Sequence, residues 1–171
     1  MSKFKNRSKD KFLKAALSNE DEASKEKNLE HVKNRISKCM KFNFSYFVGE
    51  SPGYDFHNLT QEKLADLFIK MRDYCRENLE HWEREPIGSS GSVFANYVDF
   101  PTNSDFDEPD HTPKGVSWGR FRIDSKTRLA GFVVPKNKHD IEITKGNRLD
   151  SNVFYVVFLD NDHVFYKTKK R

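Results

Sequence analysis

The sequence predicts an α+β fold: a mainly antiparallel sheet packed by one or two helices, with an N-terminal helical extension. Three observations lead there. One strong helical stripe runs from Leu64 to Leu79, and short apolar runs of strand length crowd residues 117–166. Charge also changes sign near residue 41. Residues 1–41 hold 12 Lys or Arg and 6 Asp or Glu, a net +6 in a chain of net +4, which leaves −2 for the rest. A helix followed by a run of strands gives segregated layers rather than a doubly wound sheet. The expected division is a basic helical arm over 1–41 and an α+β domain over 42–171.

The arm carries two narrow apolar stripes at helical spacing. Phe12, Leu13, Ala16 and Leu17 form the first; Leu29, Val32, Ile36 and Cys39 or Met40 form the second. Such narrow faces suit docking better than a core of their own. Lys41–Val48 alternates, with Phe42, Phe44 and Tyr46 on one face, and reads as a strand. Pro52-Gly53 marks a turn. Asn58 or Thr60 is placed to cap the next helix, because its side-chain oxygen accepts from amides that lack intrahelical partners. Leu64, Leu67, Phe68, Met71, Cys75 and Leu79 line that helix, and Trp82 extends the stripe, which is expected to cover one sheet face.

Pro86–Gly91 is a break that lacks the Lys-Ser/Thr of a phosphate loop. Val93–Phe100 fits a short helix or a strand. Asp99–Asp110 holds five acids and two prolines and reads as a loop. Strands are expected at 117–123 and 127–134, then a polar segment, Lys136–Ser151. Residues 153–159 are apolar on both faces, as in a central strand. Asn161-Asp162 makes a turn, and His163–Tyr166 reads as the last strand.

Composition narrows the class. Aromatics are 13% of the 171 residues, with 15 Phe, which argues for a packed core rather than disorder. No run of 18 apolar residues is present, so no membrane span is expected. The charged N-terminus shows no signal-peptide pattern. Cys39 and Cys75 lack metal spacing and read as reduced thiols, so a cytoplasmic location is expected. The basic arm hints at a polyanionic partner, although a solvated helical extension gives the same numbers.

Arg120 and Arg122 are two apart and share a strand face, and Arg128 opens the next strand. Three guanidiniums converging from a sheet suit a phosphodiester, through bidentate charge-assisted pairs. The bland alternative is a solvated basic face partly paired with Asp124 or Glu142. His163 has the natural pKa range for moving a proton at a P–O bond. Asp105, Asp107, Glu108, Asp110 and His111 offer a second alternative, a divalent metal site, but their spacing fits no EF-hand or zinc pattern.

Glu108-Pro109, Trp118 ninth after it, Gly119-Arg120, Arg128-Leu129, then His163 and Tyr166 form an ordered series. That series resembles the RelE/YoeB-like toxin endoribonucleases over roughly residues 42–166. The resemblance implies metal-independent and cofactor-free RNA cleavage, in which the ribose 2′-hydroxyl attacks its own phosphate. The RNA would typically be ribosome-bound messenger. Glu108 would be the general base, Arg128 would stabilise the phosphorane charge, and His163 would assist proton transfer. Arg120, Arg122 and Tyr166 would contact substrate. An antitoxin or other protein partner would dock through residues 1–41, in a mobile-element or antiviral defence setting. The chain departs from the pattern in its arm, in the 136–151 insertion, and in the two residues between His163 and Tyr166. The competing expectation is a non-catalytic nucleic-acid- or protein-binding accessory module with the arm as docking element.

Overall fold

The computed structural model describes residues 22–88, 91–138, 142–144 and 147–167. The chain divides into two units between Ser37 and Lys38. Most of helix α1 (Glu22–Lys38) belongs to the first, where Leu29, Val32 and Ile36 are exposed. The stripe expected at Phe12–Leu17 lies outside the described residues.

The second unit is an α+β domain. Its strands are β1 (Lys41–Asn43), β2 (Phe94–Val98), β3 (Ser117–Arg122), β4 (Arg128–Val133) and β7 (Val153–Asp160), in spatial order β1-β7-β4-β3-β2. β1 runs parallel to β7, and the other three pairings are antiparallel. Within Lys136–Ser151, β5 (Glu142–Thr144) and β6 (Asn147–Arg148) pair as a separate two-stranded ribbon. Val93–Phe100 resolves as strand β2.

Every residue of β7 is buried, because β1 and β4 flank it and both its faces are covered. On one face, Leu67 and Tyr74 of helix α2 (Gln61–Tyr74) and Leu79 of helix α3 (Leu79–Arg84) pack on Phe121, Leu129, Phe154 and Leu159. The opposite face holds Trp118, Phe132, Phe158 and Phe165, overlaid by loop residues Phe100 and Phe106. Both layers are rich in aromatic pairs. Phe121 lies 4.9 Å from Phe94, and Phe106 lies 4.4 Å from Phe158, within the range where edge and offset contacts add to burial.

Local chemistry sets the boundaries. Thr60 accepts from the Lys63 amide and caps α2, while the Asn78 side chain accepts from His81 at 2.8 Å and starts α3. The expected single stripe is therefore split between two helices, and Phe68 turns outward, 59% exposed. β1 is only three residues long. Phe42 and Phe44 join the helix-side core, but Tyr46 packs against the opposite one.

The expected strand at 163–166 is absent. The buried Asp160 carboxylate accepts from the amides of Asp162, Val164 and Phe165 at 3.0–3.1 Å. Those amides are turned inward and are lost to any ladder. His163 takes a positive φ of 60°, and Phe165 is driven into the core.

β2 carries a bulge between Asn96 and Val98, and Val98 adopts φ 70° while 59% exposed. A β-branched residue in the left-handed region is strained by about 1–2 kcal/mol, and glycine is not. Val98→Gly is expected to stabilise the protein by roughly 0.5–1 kcal/mol, after the added unfolded-state entropy is subtracted. A urea titration reads this as a raised midpoint with unchanged slope.

Candidate functional site

The arginines come together because the β3–β4 hairpin pairs them. Arg122 stands opposite Arg128, Arg120 opposite Ala130, and Arg128 opposite Asp160 on β7. Directly paired residues and alternate residues share a face, so all three guanidiniums rise from the Trp118 side of the sheet. Arg120 and Arg122 are half-buried, and Arg128 is 1% exposed.

The environment of Arg128 is built from backbone. Its Nη1 donates to the carbonyls of Asp124 (2.7 Å) and Thr127 (2.8 Å), and Nη2 to Ser125 (3.4 Å). Asp124 shapes that turn by accepting from the amides of Lys126 and Thr127 at 2.6 and 2.7 Å. The buried Nε has no hydrogen-bond partner among the described residues. Burial, joined by the charges of Arg120 and Arg122, pulls the Arg128 pKa down to about 10 against the opposing pull of Asp124 and Asp160. The nearby Asp160 carboxylate is engaged with backbone amides. Among the described residues, none of the three arginines forms a salt bridge.

Two tyrosines border the cluster. Arg120 Nε donates to the Tyr97 hydroxyl, and Tyr166 stacks on Tyr97 with ring centroids 4.4 Å apart and planes 4° from parallel. Burial raises the Tyr97 pKa against the opposing pull of Arg120. Tyr166 stays 40% exposed. Tyr97 was not singled out in the sequence, although alternation from Ala95, which pairs with Arg120, puts it on this face. Its place beside Arg120 depends on the pairing of β2 with β3, which no local pattern in the sequence signals. On the sheet's edge, a Cβ added to Gly88 would sit 3.5 Å from Arg122 Nη1, so that loop backbone runs beside the guanidinium.

His163 joins from the turn after β7. Its Nε2 lies 2.9 Å from the Ser125 carbonyl, an acceptor only, so this nitrogen carries the proton. Ser125 O thus receives both Arg128 and His163. Thr127 Oγ1 bonds the Asn161 side chain at 2.8 Å and ties the two turns together.

Glu108 is elsewhere. Its Oε1 accepts from Trp118 Nε1 at 2.9 Å, at the opposite end of β3 from Arg122. Arg122 is four steps along the strand from Trp118, about 13 Å at ~3.3 Å per residue. Glu108 instead lines a cavity of about 560 Å³ with Asp99, Asp110 and Lys114. The other members of the acidic loop diverge. Asp105 pairs with Lys167, and the His111 ring stacks on Tyr46 at 5.9 Å. Among the described residues, no three His, Cys, Asp or Glu side chains are grouped to hold a metal ion, and no helix is long and apolar enough to cross a membrane.

Comparison of the chain with protein-family models, with curated proteins and with solved structures gives no match.

Proposed function

We propose that this chain is a nucleic-acid-binding module whose β2–β3–β4 face takes the phosphates of single-stranded RNA, with residues 1–41 as a docking element for a protein partner. One observation carries the reading: three guanidiniums share a partly desolvated face, two of them act to lower the pKa of the third, and none has a carboxylate in ion-pair contact among the described residues. A phosphodiester supplies the missing anion. Arg122, half-buried and with no side-chain hydrogen bond among the described residues, is the main contact. Arg120 is oriented by Tyr97. The exposed face of Tyr166, backed by Tyr97, is a platform for an unpaired base, which favours single strands.

The test is fluorescence anisotropy with a short labelled single-stranded RNA. Wild type is expected to bind, and Arg122→Ala to bind about tenfold more weakly, roughly 1.4 kcal/mol. Equal affinities would remove the proposal.

A second reading is favoured by the meeting of Arg128 and His163 on Ser125 O. It is the metal-independent ribonuclease of the RelE-like pattern. There the 2′-hydroxyl gives up its proton as its oxygen bonds to phosphorus, the P–O5′ bond breaks, and the 5′-oxygen takes up a proton as it leaves. His163 would handle the proton, since Glu108 is held at Trp118, about 13 Å along the strand from Arg122. Cleavage in EDTA that yields 2′,3′-cyclic phosphate ends and disappears in His163→Ala would establish this reading. Binding without cleavage is the outcome expected of the first.

A further inference from the structure

The deepest cation of the arginine face has one nitrogen that the fold leaves idle. Arg128 is 1% exposed, and its Nη atoms are taken by the carbonyls of the 124–127 turn. Its buried Nε donates to no atom among the described residues. A buried N–H without an acceptor is costly, so an acceptor brought by a ligand is favoured there. Arg122 stands directly across the β3–β4 pairing from Arg128, and Arg120 two residues along the same face. Both are half-buried, and the charge of each is felt at Arg128. Asp124 and Asp160 act on Arg128 in the opposite sense, but their oxygens accept from backbone amides. Next to Arg120 comes the Tyr97–Tyr166 stack.

We infer that this face takes the terminal phosphomonoester of a single-stranded RNA, with Arg120 and Arg122 on its outer oxygens, Arg128 Nε as the inner donor and the adjoining base on Tyr166. The inference rests on the RNA-binding reading and adds which phosphate is held. An internal phosphodiester has two free oxygens, one negative charge and chain on both sides. It lies along the face and meets the two half-buried arginines, but it is poorly shaped to reach a nitrogen as deep as Arg128 Nε. A terminal phosphomonoester has three free oxygens, about two negative charges at neutral pH, and chain on one side only. It can enter end-on and accept from three guanidiniums at once.

Fluorescence anisotropy on the full chain tests this with internally labelled RNAs of one short sequence. One carries a 5′-phosphate, one a 3′-phosphate, and one hydroxyls at both ends. At least one phosphorylated form is expected to bind tenfold tighter than the hydroxyl-ended RNA, and the form that does so identifies the end. A hydroxyl-ended RNA two nucleotides longer, which adds about the same charge, should gain less than threefold. In Arg120→Gln the tenfold preference should fall below threefold, with circular dichroism unchanged. Equal binding of all the RNAs overturns the inference and leaves the RNA-binding reading standing; binding of none overturns both. A longer hydroxyl-ended RNA as tight as the phosphorylated one would reduce the effect to charge number and also overturn the inference. So would a full preference retained in Arg120→Gln. Uridine 5′-monophosphate that displaces labelled RNA as well as unlabelled phosphorylated RNA does would overturn it in favour of a free nucleotide.

Discussion

Gly131→Ala is expected to lower stability by about 3 kcal/mol or more, among the largest effects of any single methyl group in this chain. Gly131 lies in β4 where the register with β7 shifts: Ala130 pairs with Phe158 and Gly131 with Val156, leaving Val157 as the extra residue. The bulge brings the Tyr155 backbone against Gly131. An added Cβ would lie 3.0 Å from the Tyr155 carbonyl carbon and 3.1 Å from Val156 Cα, and closer still to the Tyr155 oxygen. These atoms are backbone of a fully buried strand, so relief requires moving β4 and β7 apart. The same displacement would disturb Arg128 three residues earlier. Denaturant titration with two probes should show a large fall in midpoint, and a change below 1 kcal/mol would mean the bulge yields easily.

Arg128→Ala is expected to cost about 3 kcal/mol of folding stability, whatever it does to RNA. It removes a fully buried side chain and takes a donor from three turn carbonyls, of which Ser125 keeps His163, Thr127 keeps the Ile123 amide and Asp124 is left unsatisfied. Arg128→Lys should recover little, because an ammonium lacks the planar fork that spans several carbonyls. This bears directly on function. Loss of RNA binding in an Arg128 variant would not separate chemistry from collapse of the 124–127 turn. Arg122→Ala avoids that problem, since the Arg122 side chain holds no turn together. An Arg128→Ala protein as stable as wild type would refute the structural role assigned to this residue.

Much of the sheet was legible in the sequence, because β3, β4 and β7 are short apolar runs bounded by polar turns. The shared face of Arg120 and Arg122 followed from their spacing. The burial of Arg128 did not, since an arginine reads as exposed until three turn carbonyls are seen to gather around it. The last strand failed for a similar reason. Val164-Phe165-Tyr166 looks extended, but a buried acid at 160 draws the following amides into a turn. The separation of Glu108 from the arginines was hidden in the long connection between β2 and β3. The Trp118 indole, at the far end of β3, shows where Glu108 is held.

The central claim is that phosphates fill the unpaired positive face around Arg122. The most direct measurement is the salt dependence of single-stranded RNA affinity for wild type and Arg122→Ala. A phosphate contact made by Arg122 should lower the slope of log K against log salt by about 0.7 in the variant, and weaken binding most at low salt. Identical slopes and affinities for the two proteins would contradict the account.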